Sequence, residues 1–109
     1  MITTAGSTFI LSAAVTATLG DITTIALLDA GGEFFRKNYA NVTALSATKY
    51  QYEFYISESE GNGNIIAIEL EGNSATTVLD SGTDVAYQAL VLTKTNTQTL
   101  TILWTVELI

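Results

Sequence analysis

The sequence predicts a mainly β protein, an antiparallel β-sandwich of about six strands forming a single domain over residues 1–109. Three observations carry this expectation. Near the C-terminus, Leu100, Ile102, Trp104, Val106 and Leu108 alternate with Thr99, Thr101, Leu103, Thr105 and Glu107, the two-residue period of a strand with one buried face. Proline is absent, so Gly and Asn supply the turn chemistry, and they cluster between the apolar runs. Hydrophobic residues make up 48% of the chain but charged residues only 14%, against about 25% charged in an average soluble domain. Thr, Ser, Asn and Gln must therefore coat the polar faces.

In chain order, residues 4–15 fit two periods. Phe9, Leu11, Ala13, Val15, Ala17 and Leu19 alternate as a strand does, whereas Ala5, Phe9, Ile10 and Ala13 share one face of a helix capped by Thr3 or Thr4. The residues alone leave both open. Residues 22–28 and 40–45 are short strand candidates bounded by Gly or Asn. In residues 50–57, Tyr50, Tyr52, Phe54 and Ile56 face one way and Gln51, Glu53, Tyr55 and Ser57 the other. Residues 65–71 set Ile66, Ile68 and Leu70 opposite Ile65, Ala67, Glu69 and Glu71, and the Gly- and Asn-rich stretch 58–64 predicts a hairpin joining these two strands. Residues 72–82, rich in Gly, Asn, Ser and Thr, form a loop. Residues 85–93 are apolar on both faces, as a central strand would be. The short polar connection 94–97 predicts that they pair antiparallel with 99–108.

Composition removes whole classes of function. Lys and Arg number 4 against 11 Asp and Glu, a net charge of -7, which repels phosphate backbones and anionic membranes, so no nucleic-acid partner is expected. Histidine and cysteine are both absent, which excludes His-based triads, thiol nucleophiles, disulfides and the usual zinc ligands. The chain is expected not to be an enzyme, with no catalytic residues, no cofactor and no metal. No run reaches the ~20 apolar residues of a membrane span. Residues 9–19 lack the basic flank of a secretion signal, the first cation being Arg36. A small domain with so few charges is expected to cover apolar surface with a neighbour, as a homo-oligomer.

A few residue groups are candidates for binding. Glu58, Glu60, Asn62, Gly63, Asn64 and Glu69 match the spacing of a calcium loop. Glu stands where that motif has the shorter Asp, however, and the flanks read as strands where it needs helices, so a polar hairpin tip is expected instead. Glu69 and Glu71 share a strand face at a spacing that glycoside hydrolysis uses, as exposed strand carboxylates often do for solubility alone. Of Tyr50, Tyr52, Tyr55 and Trp104, only Tyr55 points away from an apolar face, so the others are assigned to packing and Tyr55 is the candidate glycan contact. Arg36 and Lys37 are adjacent cations that suit an acidic partner surface. Asp80 and Asp84, in or next to a Gly-bounded loop, complete the candidate partner contacts.

Read together, Ile2-Thr3-Thr4-Ala5-Gly6, Ile22-Thr23-Thr24-Ile25-Ala26-Leu27, Phe35-Arg36-Lys37 and the Tyr52 to Gly63 segment (Tyr-Glu-Phe-Tyr-Ile-Ser-Glu-Ser-Glu-Gly-Asn-Gly) form one ordered pattern. The pattern resembles the N-terminal domain of bacteriophage tail-fibre and tail-collar proteins, and the closing Lys94 to Val106 segment is similar to that family as well. The family's Gly-Asp/Thr-Gly turn is replaced here by Leu28-Asp29-Ala30-Gly31-Gly32, and no long fibre follows Ile109. The resemblance implies a short N-terminal helix over residues 4–15 and a stand-alone virion structural protein. Its expected role is a tail-associated adaptor, collar or fibre-base subunit, made in the bacterial host cytoplasm and carried on the virion. Its partners would be itself, as a homo-oligomer with a trimer expected, and neighbouring virion proteins. The alternatives are a capsid decoration protein or a carbohydrate-binding module that holds a host receptor glycan with Tyr55 and the 72–82 loop.

Overall fold

A computed structural model describes residues 5–15 and 22–108, and these are mainly β with no helix among them. The strands are β1 (Ala5–Val15), β2 (Ile22–Asp29), β3 (Gly32–Asn38), β4 (Asn41–Ala44), β5 (Lys49–Ile56), β6 (Gly63–Gly72), β7 (Thr83–Lys94) and β8 (Gln98–Leu108). They form two four-stranded sheets, ordered β1-β8-β5-β4 and β3-β2-β6-β7. One buried cluster joins the layers: Phe54, Ile56, Leu100, Ile102, Trp104 and Val106 from the first sheet meet Ile25, Leu27, Ile65, Ile68 and Leu70 from the second. Trp104 and Phe54 are its largest members, as the alternation of their strands requires.

Several expectations are corrected. The helix expected over residues 4–15 is not found. Thr4, Ala17 and Leu19 lie outside the described residues, and residues 5–15 are strand β1, paired along its whole length with β8 from Ala5↔Gln98 to Val15↔Leu108. Phe9, Leu11 and Ala13 pack against the core while Ile10, Ser12 and Ala14 are exposed, so the two-residue period wins because a neighbouring strand supplies the hydrogen bonds a helix would make internally. This pairing is parallel, so the expected all-antiparallel arrangement is also revised. The strand number rises from about six to eight with β1 and β3. A register shift between Leu27 and Leu28 interrupts the β2–β3 pairing and conceals the alternation of β3.

Both expected hairpins are crossings between layers. β5 pairs with β8, and β6 with β2 and β7. The turns at residues 57–62 and 95–97 therefore carry the chain from one sheet to the other. Gly61 sits in the first crossing at φ 61°, where an added Cβ would come within 2.7 Å of Leu27 Cδ1, so both backbone conformation and packing require glycine there. The true hairpins are β2–β3, β4–β5 and β6–β7. Residues 85–93, expected to be central, lie in β7, which among the described residues is a sheet edge.

Candidate functional site

The loop 73–82 between β6 and β7 folds back over the outer face of the second sheet. Register explains what lies beneath it, because Arg36 of β3 stands opposite Ala26 of β2, and Ala26 opposite Glu69 of β6. With the small Ala26 between them, the long side chains on either side can meet. Arg36 is only 4% exposed. Its Nε and Nη2 donate to Glu33 Oε1 at 2.7 Å and Oε2 at 3.0 Å, the two-pronged pairing that suits a guanidinium. Its Nη1 donates to the loop, to Thr76 O at 3.1 Å and Ser81 O at 2.8 Å, and Asp80 N donates to Glu33 Oε1 at 3.0 Å. These bonds hold a strained loop: Asn73, Ser74 and Asp80 all have positive φ, a conformation that non-glycine residues rarely adopt.

Glu71 lies deeper. It is 0% exposed, and in its ionised form neither carboxylate oxygen has a hydrogen-bond donor. Arg36 Nη2 stands 3.8 Å from Glu71 Oε2, beyond hydrogen-bonding range, because the guanidinium is committed to Glu33 and the loop. Carboxylate oxygens of Glu33, Glu69, Glu71 and Asp84 all lie within 4.8 Å of one another. Their environments differ. The hydrogen bonds from Arg36 hold Glu33 below the usual carboxylate range. Burial and then the charge of Asp84 raise Glu69, whereas burial, then a carboxyl–carboxylate hydrogen bond with Asp84 and the charge of Asp84, push Glu71 up to about 9. Desolvation opposes the charge on Arg36, but the Glu33 carboxylate holds it above its ordinary value. A surface cleft of about 570 Å³, lined by Glu33, Glu69, Asp80, Thr83 and Asp84 among others, opens on this group.

A second buried cation, Lys94, ends β7. Its Nζ donates to Ser57 O at 2.7 Å and to Asn62 Oδ1 at 2.9 Å, with Glu58 O at 3.4 Å. An ammonium thus occupies the middle of the turn that matched a calcium loop in spacing, and it ties the two layer crossings together. Glu60 in that turn accepts from Lys37 Nζ at 2.6 and 2.7 Å and from Ser57 N at 3.0 Å. Glu69, the last residue of the apparent motif, belongs to the other cluster.

The third feature is an edge. β1 and β7 border the two sheets on one side of the molecule and touch across the layers. β1 carries no charged residue, nor do positions 85–93, and Val91, Ile10 and Tyr87 are 86%, 75% and 63% exposed. By contrast, the edge strand β3 carries Glu33, Arg36 and Lys37, and β4 is four residues long, both ordinary ways of blunting an edge.

The candidate contacts named from sequence are therefore scattered. Arg36 faces inward, Lys37 pairs with Glu60, and Tyr55 is exposed on the first sheet. Asp80 and Asp84 line the cleft with Glu69, and Asp84 also joins Glu69 and Glu71 in the carboxylate group. Glu33 and Lys94 had not been singled out. Glu33 signals itself only by its three-residue spacing from Arg36, and Lys94 only by closing a long apolar run. Comparison with known protein families, curated proteins and solved structures gave no match, so the tail-fibre resemblance stands on its quoted residues alone.

Proposed function

We propose that this protein is a bacteriophage virion structural subunit, a tail-associated adaptor, collar or fibre-base element that assembles with copies of itself, with a trimer as the proposed stoichiometry. The observation that carries the assembly reading is β7. Its sequence is that of a central strand, apolar on both faces and uncharged from 85 to 93, yet it lies at an edge beside the equally uncharged β1. Monomeric proteins protect such edges with charge, proline or a covering segment. Further copies of the chain are the fitting occupants, since open strand edges pair through their backbone groups and a heterologous contact of this kind that closes on itself gives a ring such as a trimer. The virion assignment is supported by the ordered tail-fibre-like motifs, and an acidic surface poor in cations suits protein neighbours better than nucleic acid.

The test is the absolute mass in solution by light scattering, from high to low micromolar concentration. The expected result is a stable multiple of the 11.6 kDa chain. Val91→Lys, a change at an exposed position that leaves the core intact, should reduce it to a single chain. A wild-type monomer throughout, or an unchanged oligomer in Val91→Lys, would overturn the reading.

A further inference from the structure

The carboxylate cluster on the second sheet has one property that ordinary acidic surface patches lack. Glu71 is wholly buried, aimed at three other carboxylates and without a hydrogen-bond donor for either oxygen. A buried carboxylate in that condition is costly, and proteins resolve it with a proton or a cation. Arg36 stands 3.8 Å from Glu71 Oε2 as its nearest counter-charge but offers it no hydrogen bond, because Glu33 and the carbonyls of Thr76 and Ser81 accept those. With all four carboxylates ionised, the group retains an excess of three negative charges over Arg36.

We propose that Glu33, Glu69, Glu71 and Asp84 bind a calcium ion beneath the 73–82 loop. The donor set is oxygen only, which suits a hard ion. Calcium tolerates irregular sets of carboxylate oxygens, whereas magnesium demands a near-ideal octahedron. The four carboxylates, drawn from three strands of one sheet, fall within 4.8 Å of one another, close enough to share one ion. The cleft beside Glu33, Glu69 and Asp84 admits the ion and the waters that complete its sphere. Because Glu33 also accepts from Arg36 and Asp80, the bound ion would brace the loop. The site does not depend on the assembly reading.

Thermal unfolding with CaCl2, MgCl2 or NaCl at matched ionic strength tests this. Calcium at about 5 mM should raise Tm by about 5 °C, with magnesium giving less than half of that. Terbium should show emission sensitised through Tyr87, which stands opposite Glu69 in register, and calcium should quench it by displacement. Glu71→Gln, isosteric and uncharged, and Asp84→Asn, at an exposed position, should each abolish the calcium response. Glu58→Gln, in the other acidic turn, should keep it. Equal shifts with magnesium or NaCl, a response surviving both cluster variants, or a response lost in Glu58→Gln would each overturn the proposal.

Discussion

The molecule buries two cations, and it treats them differently. Lys94 is surrounded by neutral oxygens, two carbonyls and the amide of Asn62, and among the described residues no carboxylate lies within ion-pair distance of it. Burial lowers its pKa, with Glu58 and Glu60 opposing from further off. Arg36 is surrounded by carboxylates in excess, one of them unsatisfied. The first arrangement matches one donor group to the acceptors around it and is closed. The second leaves negative charge over, and such a site both strains the apo protein and recruits a further positive charge. Local charge balance, more than burial, separates a structural knot from a candidate binding site.

The contrast can be broken most severely at Arg36. Arg36→Ala would leave Glu33 and Glu71 without their counter-charge and release the 73–82 loop, so a loss of about 3–5 kcal/mol in chemical denaturation is expected, with early proteolysis in that loop. Lys94→Met keeps the aliphatic stem and leaves only neutral acceptors unpaired. It should cost about 2 kcal/mol and loosen the 57–62 turn while sparing the 73–82 loop. A larger loss at Lys94 than at Arg36 would show that neutral acceptors demand their cation more than carboxylates do. The exposed counterpart, Lys37 with Glu60, sharpens the scale from below. The Lys37 and Ser57 hydrogen bonds hold Glu60 below its usual value, so its folded pKa lies under its unfolded one. Its stabilisation is present above about pH 4.5 and is lost as pH falls through the folded value. Both side chains are about a third exposed, so Glu60→Gln should cost less than about 1 kcal/mol at pH 7 and flatten the acid limb of a stability-against-pH curve.

Much of the strand content was legible because alternation is local. Trp104, Val106 and Phe54 announced the core by their two-residue spacing, and β2 and β4 to β8 fall close to their expected positions. Pairing was not legible. A Gly-Asn turn between alternating runs reads the same whether the chain doubles back within a sheet or crosses to the other layer, and the residue that marks the crossing at 57–62 is Lys94, more than thirty positions away. β1 was ambiguous because its Ala, Ser, Phe and Ile fit either period, and its partner is at the far end of the chain. The site was legible by halves. Glu69 and Glu71 share a face from sequence alone, but Glu33 and Asp84 join them only once the β2–β3, β2–β6 and β6–β7 registers are known.

The parallel pairing of β1 with β8 has a kinetic consequence. β1 leaves the ribosome well before its partner β8, with Ala5 beside Gln98, so it waits for the synthesis of every strand from β2 to β8 before its backbone is satisfied. Loop closure of that length is slow to reward. Folding should therefore proceed around β2, β6 and β7, with β1 adding late. The interval before it docks, when β8 presents an open edge, is when nascent copies are most exposed to mispairing with one another.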